Sequence, residues 1–378
     1  MNQESKLLIG AVKKAVAGAA VKMPDGVDWE AFLKLAHGHK LEGICYVGLK
    51  DQSLPEAVKT RLAGECQRAI FADTQLEHVK ESLHRDLTAG GVPHVFLKGA
   101  VLKYDYPIPA LRTMSDMDIL AYTRDYDRID AVCEALGGRL LEDSDGNHHN
   151  FKFPGGVTVE FHPNILHHSA PIGAEVNPGW QYVQENKMTE EGFYLTTLCH
   201  LADHFVTGGI GVRFVLDVWV FRNLRKLPMD REFVEKELTR FGLLAFVKNI
   251  EALAQAWFGE GELTPVLEEL GDYILTSGSH GFNDRAVLNG LTLSAGNKTA
   301  ALWRKVFYPR GELEDRFPWC KGKPLLLPAA WCVRVFRAVT KRGDLILKWT
   351  KDTGSITDEE VETQRQMLRR FGIKTEDK

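Results

Sequence analysis

The chain has 378 residues, a formal net charge of -4, and the 44% hydrophobic and 26% charged residues of an ordinary globular protein. That length exceeds what one core fills, so two or three packed units are expected. No apolar run approaches the roughly 18 residues that cross a bilayer, and the net charge gives no global pull toward nucleic acid or anionic membrane. Six cysteines, at 45, 66, 133, 199, 320 and 332, lack Cys-x-x-Cys spacing, which argues against a zinc ribbon or a disulfide framework. Met1-Asn-Gln-Glu-Ser-Lys carries mixed charges where a secretory leader has an apolar run, so a reducing cytoplasm is the expected location.

The first ninety residues read as helices. Asp28 is placed to cap Trp29 to His37, where Trp29, Phe32, Leu33 and Leu35 or Ala36 mark an apolar face. A longer pattern runs from about Pro55 to Leu87 and ends at Gly90-Gly91. Composition then changes: His94 to Leu97 is a short apolar strand, followed by Lys98-Gly-Ala100 and the helical Val101 to Tyr104. Glycine between a strand and a helix is commonly a turn, and it also lets a phosphate approach backbone N–H groups.

After the Pro107 to Pro109 turn, residues 112–120 read as a strand. Alternation puts Asp116 and Asp118 on one face, with Met117 and Ile119 on the other. Two readings stay open for this pair: a solvated polar face, or hard oxygen ligands for Mg²⁺ or Mn²⁺. Thr123 is placed to cap a helix reaching about Leu136, and Glu142 to Asn147 is loop. Strands at 148–153 and 157–162 are joined by Pro154-Gly-Gly156 as a hairpin, and the second sets Thr158, Glu160 and His162 on one side.

From Phe193 onward the pattern is helical again. His200 and His204 share a helix face but lack the glutamate of His-Glu-x-x-His, so packing or capping competes with metal ligation. Arg213 and Asp217 have the spacing of an intrahelical ion pair. Residues 301–350 hold eleven Lys and Arg against four Asp and Glu. Within them a helix from Pro328 to about Thr340 would carry Arg334, Arg337 and Lys341 as a stripe, either a solvated face or a polyanion contact.

Lys98-Gly99 after one strand, Asp116 and Asp118 on a second, and Glu160 on a third together meet the needs of metal-dependent nucleotidyl transfer. Lys98 or Arg112 would neutralise charge on the phosphates. The runs Val95 to Leu102, Tyr106-Pro, Arg112-x-x-x-Asp116-x-Asp118-Ile-Leu and Val159-Glu160-Phe-His162 resemble a poorly characterised nucleotidyltransferase-fold family of bacterial proteins, distant relatives of polymerase beta. Asp28-Trp29-Glu, His200-x-x-x-His204 with Arg213 and Asp217, and Phe307-Tyr-Pro309 with Arg316-Phe-Pro318 extend the resemblance.

The resemblance implies an α+β fold: a helical region at 1–90, a mixed-sheet nucleotidyltransferase core at 91–190, and a second helical region at 191–378. It implies Asp116, Asp118 and Glu160 as catalytic metal ligands for Mg²⁺ or Mn²⁺. Lys98, Gly99, Arg112, His149 and His162 would contact a nucleoside triphosphate or its acceptor. Better-known nucleotidyltransferases carry Gly-Ser shortly before the paired carboxylates, whereas Gly99-Ala100 lies 17 residues before Asp116. A catalytically degenerate module that binds a nucleotide or protein partner, and a glycosyltransferase using Asp-x-Asp for a sugar nucleotide, are the alternative readings.

Overall fold

The computed structural model describes residues 1–141, 149–166, 179–278, 283–293, 310–336 and 354–375, and its architecture is α+β. Four helices come first: α1 (Gln3–Ala17), α2 (Trp29–Gly38), α3 (Glu42–Leu49) and the 34-residue α4 (Glu56–Ala89). Side-chain caps fix two of the starts. Asn2 accepts the Ser5 N–H at 2.9 Å, and Asp28 accepts those of Glu30 and Ala31, each at 3.0 Å, satisfying amides that have no partner within the helix.

The sheet contains β1 (His94–Phe96), β2 (Met117–Ala121), β3 (Arg139–Leu140), β4 (His149–Lys152) and β5 (Thr158–His162). Its order is β1-β2-β5-β4-β3, with β2 and β5 parallel and the other neighbours antiparallel. The short helix α5 (Gly99–Leu102) follows β1, and α6 (Tyr126–Ala135) follows β2. Thr123 opens a 3-10 turn, and the α-helix proper begins three residues later. The acidic strand is shorter than its alternation suggests. Backbone pairing begins at Met117, so residues 112–116 form a loop and Asp116 stands at the mouth of β2.

Each face of the sheet meets a different partner. Met117, Ile119, Ala121, Phe151, Val159 and Phe161 pack against Leu76, Val79, Leu83 and Leu87 of α4 and Ile129 and Cys133 of α6. The opposite face carries Asp118, Leu120, Glu160 and His162. Leu120 belongs to a larger core with helices from both ends of the chain: Leu8, Phe32, Leu62, Phe205, Val215, Phe246, Ile274 and Phe371.

Those later helices are α7 (Glu190–Thr207), α8 (Val212–Asn223), α9 (Arg231–Arg240), α10 (Leu244–Phe258), α11 (Pro265–Leu275) and α12 (Asn283–Leu293). A final helix, Asp358–Arg370, starts at a reciprocal capping box between Thr357 and Glu360. Residues 327–336 are helical, and Arg334 lies among them; Arg337, Lys341, the Phe307-Tyr-Pro309 run and the 142–147 loop lie outside the described residues. Among the described residues no helix is long and apolar enough to cross a membrane.

Candidate active site

The parallel pairing of β2 with β5 sets Asp118 opposite Glu160 and Leu120 opposite His162. Direct partners project to the same face, so two carboxylates and an imidazole are brought together. Asp118 Oδ1 accepts from Lys98 Nζ at 2.8 Å and lies 2.9 Å from His162 Nε2; the same nitrogen is 3.6 Å from Glu160 Oε2. One ligand atom from each of Asp118, Glu160 and His162 falls within 4.8 Å of the other two. This donor set fits a divalent cation.

Charge distinguishes the two aspartates. Burial alone would raise the Asp118 pKa, but the Lys98 ammonium and His162 hold it well below the usual carboxylate range. Asp116 is pushed the other way, first by burial and then by the negative charges of Asp118 and Glu160. Asp116 is therefore an electrostatic neighbour of the cluster, while the tight three-residue group has His162 as its third member. Alternation had grouped His162 with Glu160, yet only the strand pairing shows that it reaches Asp118.

Lys98 owes its position to an unusual backbone. Its φ of 51° and ψ of -125° lie where L-residues rarely stand, and such strain persists only where surrounding structure enforces it. Gly99 next to it is buried. A Cβ there would overlap the Arg112 guanidinium and stand 2.5 Å from the Met114 sulfur. The missing side chain thus makes room for Arg112, a use of glycine different from the phosphate approach expected from sequence.

Arg112 itself is committed elsewhere. Its Nε donates to Asp217 Oδ1 at 3.1 Å and its Nη2 to Oδ2 at 2.6 Å, while the Tyr106 hydroxyl donates to Oδ1 at 2.5 Å. This buried bidentate pair ties the loop before β2 to α8, so Arg112 supports the loop that carries Asp116. It also corrects one expectation, because Asp217 pairs with Arg112 instead of Arg213. His149 also departs from expectation. The β4–β5 register pairs it with Phe161, on the face opposite Glu160, where it bonds Asp130 and stacks on Tyr126 at 4.3 Å.

The helical half of the chain supplies groups that sequence motifs singled out only in part. On α7, His200, Asp203 and His204 share a face. The Nε2 atoms of His200 and His204 are 2.8 Å apart. Burial first, and then the Lys98 charge, keeps His200 well below its ordinary pKa. Burial also pushes the Asp203 carboxyl up to about 6, and its Oδ1 is enclosed without a hydrogen-bond partner. Arg213 donates from Nη1 to the Thr113 carbonyl, and Thr113 Oγ1 donates to the Lys40 carbonyl at 3.2 Å.

An acidic donor set on one face of a small mixed sheet, with a lysine against it, is chemistry suited to phosphoryl transfer. The chain belongs to the uncharacterised nucleotidyltransferase family, whose model matches residues 25–259. No curated protein and no solved structure matches the chain. The matched region contains every residue of the cluster together with α7 and α8, and it identifies the protein as a nucleotidyltransferase in the general sense.

Proposed function

We propose that the protein moves a nucleoside monophosphate from a nucleoside triphosphate to a hydroxyl or phosphate of an acceptor, releasing pyrophosphate, in a reducing cytoplasm. The observation that carries this reading is the in-register pairing of Asp118 with Glu160 on parallel strands, beside Lys98 and His162. Asp116, Asp118 and Glu160 act as the catalytic carboxylates, and Asp118, Glu160 and His162, with Asp116 beside them, would hold Mg²⁺ or Mn²⁺. Such an ion supplies Lewis-acid stabilisation of the phosphoryl oxygens and lowers the pKa of the acceptor hydroxyl.

The chain's own groups do the rest. Lys98, 2.8 Å from Asp118, neutralises negative charge beside the reacting phosphate. His162 holds the Asp118 carboxylate in one orientation. Asp116, whose proton affinity is already raised by burial and its acidic neighbours, is the carboxylate best suited to take the acceptor proton. The new bond forms between the acceptor oxygen and the α-phosphorus as the link to the β-phosphate breaks.

Calorimetric titration of ATP, GTP, CTP and UTP with Mg²⁺ tests the reading. At least one should bind, and Asp118→Asn should reduce turnover on the order of 10²–10³-fold; a folded protein that binds none of the four would sink it. A second reading, a silent module that binds a nucleotide or protein partner, is favoured by Ala100, which leaves no serine hydroxyl in the turn, and by Lys98 already resting on Asp118. Retention of the biological phenotype by the double variant Asp116→Asn, Asp118→Asn would select it.

A further inference from the structure

Among the described residues, two cations near the acidic cluster make no ion-pair contact with a carboxylate. Arg213, in the first turn of α8, has the Thr113 carbonyl as its sole hydrogen-bond acceptor among the described residues. Asp217, one turn further on, is already taken by Arg112 and Tyr106. Lys40 stands just past α2 with a φ of 55°, and its backbone carbonyl is fixed by the Thr113 hydroxyl. Thr113 thus ties both residues to the loop that ends in Asp116. Among the described residues, neither Lys40 nor Arg213 is in ion-pair contact with a carboxylate.

The electrostatics agree with this geometry. Burial and the neighbouring Arg112 charge push Arg213 down to about 10, and burial and the Arg213 charge lower Lys40. Asp217 is the first charge that favours the Arg213 cation and Asp116 adds to it, while Asp116 and then Glu42 favour the Lys40 cation, so Asp116 acts on both. Like charges that act on each other from partly buried positions are costly unless an anion arrives to share them. The Asp118 side of the cluster has Lys98; the Asp116 side has this pair.

We propose that Lys40 and Arg213 form the subsite for the outer phosphates of the nucleoside triphosphate and for the pyrophosphate that leaves. The inference rests on the nucleotidyltransferase reading and extends it, because it takes the phosphate-holding role away from Arg112 and gives it to two helical segments outside the sheet. Lys40 comes from the N-terminal helices and Arg213 from the later ones, so residues of both helical regions would contact the polyphosphate beside the acidic loop.

Inorganic tripolyphosphate is the probe of choice, since it carries no base and makes the identity of the nucleotide irrelevant. Its affinity for the full chain, with Mg²⁺, is measured by calorimetry beside those of the four triphosphates and their monophosphates. Lys40→Gln and Arg213→Gln should each weaken tripolyphosphate and triphosphate binding about ten- to a hundredfold, with monophosphate binding unchanged. Arg213→Lys, which keeps the charge, should recover most of the loss and guards against misfolding of the Gln variant. Unaltered triphosphate affinity in both Gln variants overturns the subsite while leaving the nucleotidyltransferase reading intact. Tripolyphosphate binding that depends on the pair, without binding of any nucleotide, supports the subsite and overturns that reading. No binding of either by the wild-type protein overturns both.

Discussion

Asp203 shows what a single buried carboxyl contributes when burial outweighs the nearby Lys98 charge. Its pKa rises from 3.8 to about 6 because burial disfavours the charged form, and one of its oxygens lacks any hydrogen bond. A folded-state pKa above the unfolded one means the native state binds the proton more tightly. The stabilisation is complete below about pH 4 and is lost as pH rises through about 6. Asp203→Asn removes the titration. Denaturant unfolding should show the variant gaining ~2 kcal/mol over wild type at pH 8 relative to the difference at pH 4; parallel pH profiles for the two proteins would refute this account. Asp118 behaves oppositely, since Lys98 and His162 keep it ionised far into acid.

At the scale of elements, the site is held by ties between segments far apart in sequence. The Arg112–Asp217 pair spans 105 residues and fastens the loop before β2 onto α8. Removing one partner leaves the other charge buried and alone, so Asp217→Asn should cost about 3–5 kcal/mol in thermal or denaturant unfolding. Arg112→Lys should recover little, because an ammonium cannot reproduce the bidentate fork. A loss below about 1 kcal/mol in Asp217→Asn would show the pair to be incidental.

This tie also explains which parts of the molecule were legible in the sequence. The β5 alternation, the Asp28 cap and the Pro154-Gly-Gly hairpin are local, and local rules read them. Arg213 and Asp217 looked like an intrahelical pair because the four-residue spacing sees only its own helix. Residues 112–116 alternate like a strand but have no neighbour to pair with. His149 had a usable signal: it shares parity with Phe151 and Phe153, whose apolar side chains face α4 and α6, so it belongs on the face away from Glu160. Lys40 had none, since nothing near it in sequence announces the acidic loop.

For the molecule as a whole, the family match at residues 25–259 covers the sheet, α7 and α8 but leaves out α1, whose Leu7 and Leu8 are fully buried. Of the helices outside the matched region, α1, α11 and the final helix contribute to the large core, with Phe371 packed against Phe205 and Tyr273, whereas Val287 and Leu291 of α12 with Val361, and Leu313 with Phe317, Cys320 and Ala330, form smaller clusters of their own. Besides Leu120 and Val95 of the sheet itself, α4 joins the large core to the sheet. Its first half buries Val58, Leu62 and Cys66 in the large helical core, and its second half buries Leu76, Val79, Leu83 and Leu87 beneath the sheet.

Between these halves the outer side of the helix is uncovered, with Ile70 46% and Phe71 66% exposed, while Ala69 touches the large core and Asp73 pairs with Lys103. An exposed helical stretch normally exchanges its amide hydrogens quickly, because small openings suffice. Here the stretch is continuous at both ends with packed helix, roughly 50 Å of it in all, so it works as a strut with no joint. Opening it requires one of the flanking cores to loosen. Amides from 67 to 75 should therefore exchange as slowly as those of the less stable core, and mass-resolved exchange would show them moving with that core as one unit. Fast, independent exchange there would mean that the sheet and the helical body breathe separately.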